Sequence, residues 1–260
     1  MSVPYIWLVN QAGDVYQFPP DFFIKDDGWS MISNVQHPAY GMGGRDLGDD
    51  HLEHRTILLE GAVRADTLGA QETKIRSMQK ALISGGKLYV SDDPVTRFIM
   101  VSNPKVDSQY IGEYRNEKIV NVSFLALDPF WQADVETVSE HILTVTGPTT
   151  IVSFSVDNRG SDSIVYPLFL IEADQGEDIP GLRLTNFNDG GMSLEYNDPT
   201  FRQGDYLEID SYYGTVKKNG NDSFLYFTKA NFLRLQPMIN NFEYEGASCT
   251  LSVIFRKVYL

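Results

Sequence analysis

Glu208 and Asp210 stand two residues apart in Gly204-Asp205-Tyr206-Leu207-Glu208-Ile209-Asp210, so on a strand their carboxylates would share one face about 7 Å apart. That separation suits an inverting glycosidase. Leu207 and Ile209 take the opposite, buried face, however, and the acidic pair then reads as the solvated side of an ordinary strand, with Asp210 fixing a turn. His51 and His54, with Asp49, Asp50 and Glu53, are residue types that bind divalent metals. Their spacing is i,i+3 where a metal-binding helix needs i,i+4, nothing predicts a helix there, and no distant ligand stands out. An exposed polar loop is expected. Glu172, Asp174, Glu177 and Asp178 lack the ordered spacing of a calcium loop and read as a solvated charge cluster. Cys249, in Ser248-Cys249-Thr250-Leu251, has no His-based triad in view and reads as a small packing residue on a strand. No catalytic residue, metal site or cofactor is expected.

The glycine clusters fail a phosphate test as well. A phosphate-cradling loop must precede a helix so that the N-terminal amides face the anion, whereas Gly85-Gly86 follows one. Asn188-Asp189-Gly190-Gly191, between Leu184 and Met192, and Asn219-Gly220, between Val216 and Phe224, are turn signals. Gly41-Met42-Gly43-Gly44 lies in a polar stretch, residues 36–54, and reads as a loop or extended hairpin arm.

Strands must position most of these residues. Val120, Val122, Phe124 and Ala126 alternate with Asn121 and Ser123; Val152, Phe154 and Val156 with Ser153 and Ser155; Leu251, Val253 and Phe255 with Thr250 and Ser252. One segment departs: over 70–84 the residues Gln71, Glu72, Lys74, Arg76, Gln79 and Lys80 surround a stripe of Ile75, Met78 and Leu82, which predicts an amphipathic helix. Asp66 or Thr67 is placed to cap its start, and Gly85-Gly86 its end. The order is then strand (56–63), helix, strand (87–90). Pro129 cannot donate to a ladder and ends a strand in Leu125-Ala126-Leu127-Asp128-Pro129-Phe130-Trp131, and a second series of strands runs from Val135 to Leu260 with no helix signal. The fold expected is mainly β: a β-sandwich-like domain with one helix over 1–132, then an all-β sandwich over 133–260.

Bulk properties bound the function. The 260 residues are 42% hydrophobic and 22% charged, enough for packed cores. Lys and Arg number 21 against 35 Asp and Glu, a net charge of −14, so a phosphate-neutralising surface for tight DNA binding is not expected. A single cysteine fits folding in a reducing cytoplasm. No signal peptide and no run of about 20 apolar residues occurs, which predicts a soluble chain without a membrane partner.

Several strings carry a resemblance. His54-Arg55-Thr56-Ile57-Leu58-Leu59-Glu60-Gly61, Leu82-Ile83-Ser84-Gly85-Gly86, Lys87-Leu88-Tyr89-Val90 and Asp128-Pro129-Phe130-Trp131 resemble, in that order, the siphophage distal tail protein family. Asp157-Asn158-Arg159-Gly160, Tyr166-Pro167, the string from Gly204 to Asp210 and the hairpin from Gly214 to Asn219 resemble its C-terminal galectin-like sandwich. The resemblance implies a virion structural protein, not an enzyme, assembled in the host cytoplasm and located at the tail tip. It implies a ring of six copies built mainly from N-terminal domains, joining the tail tube protein to the tail-tip hub, with the C-terminal sandwiches splayed outward as attachment sites for receptor-binding proteins. DNA would pass through the channel without specific binding.

The acidic, glycine-rich stretch 36–50 departs from that pattern. Its Gly41, Gly43, Gly44, Arg45, Asp46, Asp49 and Asp50 are the candidate inter-subunit arm. The alternative function is a carbohydrate-binding module acting in host-surface adsorption. Sugars stack on exposed aromatics; Trp7, Trp29 and Trp131 all precede the second domain, which leaves tyrosines such as Tyr212 and Tyr213.

Overall fold

The computed structural model describes residues 5–33, 50–92, 95–111, 114–146, 151–174, 176 and 178–260. The chain divides into two compact units, Met1–Asp134 and Val135–Leu260.

The first unit contains strands β1 (Tyr5–Asn10), β2 (Val15–Gln17), β3 (Phe23–Ser33) and β4 (Asp50–Arg64), helix α1 (Leu68–Leu82), then β5 (Gly86–Asp92), β6 (Val95–Ile111), β7 (Tyr114–Ala126) and β8 (Trp131–Ala133). They hydrogen-bond in the order β2-β1-β5-β6-β7-β4-β3, all antiparallel, with β8 beside the start of β6. The long β6 is shared: its first half pairs with β5, from Asp92↔Val95 to Gly86↔Val101, and its second half pairs with β7. Between these halves the β7 register slips from Ser102 to Lys105, where Asn103 takes a positive φ of 49° and Pro104 has no amide to offer. Proline inside a ladder is tolerated at such a bulge, and the bulge lets one strand serve two ladders.

Helix α1 starts at Thr67, whose side chain accepts from Ala70 N, and buries Gln71, Ile75, Met78 and Leu82. The stripe of Ile75, Met78 and Leu82 is as the periodicity predicts; Gln71, assigned to the polar side, is instead fully buried. It continues the same i,i+4 face, and its amide Nε2 donates to Val63 O at 3.0 Å, which lets a polar side chain occupy a core position. Gly85 and Gly86 end the helix with positive φ values of 63° and 143°. A Cβ would meet Val101 O at 2.3 Å on Gly85 and Val9 O at 2.2 Å on Gly86, so both glycines also permit close approach to β6 and β1.

The second unit is a two-sheet sandwich. Its strands are β9 (Thr137–Leu143), β10 (Ile151–Asp157), β11 (Leu168–Ala173), β12 (Leu182–Asn186), β13 (Met192–Tyr196), β14 (Tyr206–Asp210), β15 (Thr215–Lys218), β16 (Asn221–Asp222), β17 (Phe227–Lys229), β18 (Ile239–Glu245), β19 (Cys249–Phe255) and β20 (Val258–Tyr259). One sheet has the order β10-β18-β12-β13-β17, the other β16-β15-β14-β11-β19-β9. Phe169, Ile171, Leu207, Ile209, Leu251 and Val253 of the second sheet are fully buried against Leu184, Leu194, Phe242 and Tyr244 of the first, and the Phe169 and Phe242 rings meet edge-on at 6.1 Å. Cys249 is buried here, and burial pushes its thiol up to about 11.

Both turn signals are realised. Asn219 and Gly220 have φ of 51° and 77°, the backbone that a two-residue hairpin demands. Gly190 and Gly191, at 67° and 71°, turn β12 into β13 after a 3-10 turn over Phe187–Asp189.

Candidate interaction surfaces

The string Asp128-Pro129-Phe130-Trp131 is a lock. Phe130 and Trp131 are buried; the Trp131 indole donates to Asp27 Oδ2 at 3.0 Å, and Arg55 Nη1 donates to Pro129 O at 3.0 Å. Asp27 on β3 also pairs with Arg55 on β4. Burial lowers the Arg55 pKa and the Asp27 charge opposes that shift, so the guanidinium stays charged inside the fold. Three segments that are distant in sequence, β3, β4 and residues 128–131, are thereby fixed at the base of the β3–β4 hairpin.

That hairpin extends past its neighbour. The β4–β7 ladder ends at Arg55↔Ala126, yet β3 and β4 stay paired from Ser30↔His54 to Ser33↔Asp50. These last rungs have no third strand beside them among the described residues, and β3 ends the sheet with a long open edge. Of the candidate arm, Gly41, Gly43, Gly44, Arg45, Asp46 and Asp49 lie outside the described residues, and Asp50 opens β4.

In the second unit, the strings singled out in the sequence hold turns. Asp157 Oδ1 accepts from Arg159 N and Nε at 2.9 Å each, ahead of Gly160 at φ 89°. Buried Asn158 donates to Leu235 O and Gln236 O. Asp205 accepts from Arg202 N and Asn219 Nδ2. Asp210 Oδ1 accepts from the amides of Tyr212 and Tyr213 at 2.9 and 3.0 Å, the turn-fixing role read from the sequence. Glu208 lies 3.8 Å from Lys217 on the same half-exposed face, with Leu207 and Ile209 buried opposite.

Two buried networks had no sequence signal. Asp189 receives a bidentate contact from Arg234, at 2.8 and 3.2 Å, and another from Gln236, while Asn186 and Asn240 bind the backbone over 234–238. Asp198, fully buried, accepts from Lys218 Nζ at 2.5 Å, from Thr200 N and Oγ1 at 2.8 and 2.7 Å, and from Tyr196 OH at 3.1 Å. Burial alone would raise the Asp198 carboxyl; the hydrogen bonds outweigh it and hold it at about 2. Arg234 reaches Asp189 across 45 residues and Lys218 reaches Asp198 across 20, whereas Tyr196 and Thr200 each lie two residues from Asp198.

Among the described residues, no three His, Cys, Asp or Glu side chains converge as a metal site. An open depression of about 420 Å³ is lined by Arg183, Glu195, Glu245 and Asn197, and its arginine is already shared by the two glutamates. Tyr213 is 62% exposed and meets Tyr212 edge-on at 5.0 Å on the β14–β15 turn. The features on offer are surfaces and edges.

Residues 161–259 match the family model of the siphovirus-type tail component, C-terminal domain. No curated protein sequence matches the chain. The crystal structure of phage SPP1 Dit, described as a paradigm of the hub adsorption apparatus in phages that infect Gram-positive bacteria, superposes with a TM-score of 0.70 at 15% identity, over 100% of both chains. A chain of the phage P2 baseplate in its calcium-activated conformation is weakly similar, with a TM-score of 0.42 at 10% identity over 98% of each chain. The protein thus carries a siphovirus-type tail component C-terminal domain, within a distal tail protein fold that runs the whole length of the chain.

Proposed function

We propose that the protein is a distal tail protein, located at the tail tip of the virion, whose copies close into a ring of six between the tail tube and the tail-tip hub. The observation that carries this reading is the whole-chain similarity to SPP1 Dit together with the family match of residues 161–259. The long open edge of β3 and the protruding β3–β4 rungs support ring closure, because head-to-tail contact between such edges leaves none unpaired. The stretch 36–50 is the arm that reaches the neighbouring copy. The second unit is the galectin-like sandwich that faces outward and receives receptor-binding proteins. The excess of 35 acidic over 21 basic residues lets the channel repel the DNA backbone, so the duplex passes without sticking.

Light scattering on the purified chain mixed with its tube and hub proteins tests this. A ring of six times 29.3 kDa, seen as an annulus in negative stain, is expected. A persistent 29.3 kDa monomer in that mixture contradicts it.

A second reading has one observation in its favour. The exposed, perpendicular Tyr212 and Tyr213 rings offer a stacking platform for a sugar, as a carbohydrate-binding module would need. Saturable binding on a glycan array that is lost in Tyr213→Ala would support it, and an empty array would remove it.

A further inference from the structure

Among the described residues, the outer strands of the sheets are protected unequally. β2, β16 and β17 are only two or three residues long; β3 is the edge assigned above to contact between copies; β9 carries Glu140 and His141. β10 is different. Ile151-Val152-Ser153-Phe154-Ser155-Val156-Asp157 has no charge before its last residue, no proline, and an unbroken register with β18 from Ile151↔Glu245 to Asp157↔Ile239. Natural edge strands are normally blunted by shortness, charge, proline or a bulge, because an open row of amides and carbonyls recruits another strand.

The bond from Asn158 N to Met238 O, 3.0 Å, continues that register by one step. Val152, Phe154 and Val156 therefore turn their amides toward β18, while Ser153 and Ser155 turn theirs to the open edge. The side chains divide in the same alternation. Val152 and Phe154 face the sandwich interior but are only half-buried, Phe154 lying between His141 at 4.5 Å and Phe242 at 5.2 Å. Ser153 and Ser155 are exposed on the outer face, where β18 presents Glu243 beside Ser153, Asn241 beside Ser155 and Glu245 beside Ile151. Glu245 is 3.3 Å from Arg183, whereas Glu243 meets no cation among the described residues.

We propose that the open edge of β10 is a docking site for an extended segment of another polypeptide that alternates apolar and basic side chains. Its backbone would pair with Ser153 and Ser155, and its apolar residues would cover Val152 and Phe154. Its basic residues would lie over the two small serines and reach Glu243, about two strand spacings or ~10 Å away. The charge of −14 favours such a partner over an acidic one. The proposal stands on the second unit alone and is independent of ring formation.

The test uses the full chain and a capped, fluorescent heptapeptide of alternating lysine and valine. Amide exchange at Ser153 and Ser155 should slow about five-fold when free peptide is at four times its Kd. Ser153→Pro with Ser155→Pro removes only open-edge amides and should abolish binding read by fluorescence polarisation. Glu243→Gln, a surface change that keeps the fold, should weaken binding about three- to ten-fold, and an alternating glutamate-valine peptide should not bind. Protection at residues other than Ser153 and Ser155, equal binding by the proline variant, or equal binding of both peptides overturns the proposal. So does a dimer of the chain that the two prolines dissolve, because the occupant would then be a second copy.

Discussion

The Trp131 indole donates to the Asp27 carboxylate at 3.0 Å, across 104 residues of sequence, and Asp27 also pairs with Arg55. The link ties the end of the first unit to the base of the hairpin assigned to subunit contact. Trp131→Phe keeps most of the ring packing but removes the donor, and should cost about 1–2 kcal/mol in chemical denaturation. Asp27→Ala removes both the acceptor of the indole and the charge that faces the buried Arg55 guanidinium, and should cost more, about 3–5 kcal/mol. Equal losses in the two variants would show that the indole bond, not the ion pair, carries the lock.

Acid should loosen the second unit through Asp198. Its folded pKa of about 2 lies below the ordinary value of 3.8. A carboxyl with a depressed folded-state pKa contributes stability that is fully present above the unfolded value and is lost as pH falls through the folded one. Urea midpoints read from second-unit probes should therefore fall between about pH 4 and pH 2, and less steeply in Asp198→Asn. Lys218→Ala, which leaves the carboxylate buried with no cation, should cost about 3 kcal/mol at neutral pH.

Two glycine substitutions should act with opposite signs. Gly85→Ala places a Cβ 2.3 Å from Val101 O at a φ of 63°, and should destabilise the first unit by more than about 1 kcal/mol. Gly69→Ala, within α1 and with nothing inside 4 Å of the new Cβ, should raise stability by about 0.5 kcal/mol. Thermal melts of the two variants check both.

Cys249 should be inert in the folded protein. A buried thiol at about 11 carries little thiolate at neutral pH, so reaction with a disulfide reagent should be slow and should accelerate sharply in denaturant. Fast labelling without denaturant would place the thiol at the surface.

The elements were most legible where one period dominates. Alternation in β7 and β19 and the helical stripe of Ile75, Met78 and Leu82 reappear as buried faces, because burial on one side leaves that imprint. Alternation in β10 was equally clear, yet Val152 and Phe154 are only half-buried: period two names a face but not whether a neighbouring strand covers its edge. Gln71 was misassigned because a buried amide is disclosed by its partner, Val63 O, and that partner lies on another element. The sharing of β6 between two ladders was missed although Asn103-Pro104 is a local bulge signal. The Asp189–Arg234 and Asp198–Lys218 contacts join residues whose proximity only the folded turns create. The arm, by contrast, was read as a departure from a family pattern, and all of it but Asp50 falls outside the described residues.

The most direct measurement is cryo-electron microscopy of purified particles that contain this chain. The account predicts six copies in one closed layer at the distal end of the tail tube, with neighbouring copies in contact along β3 and the stretch 36–50. Density for the chain away from the tube's end, or copies that touch through neither of these segments, would contradict it.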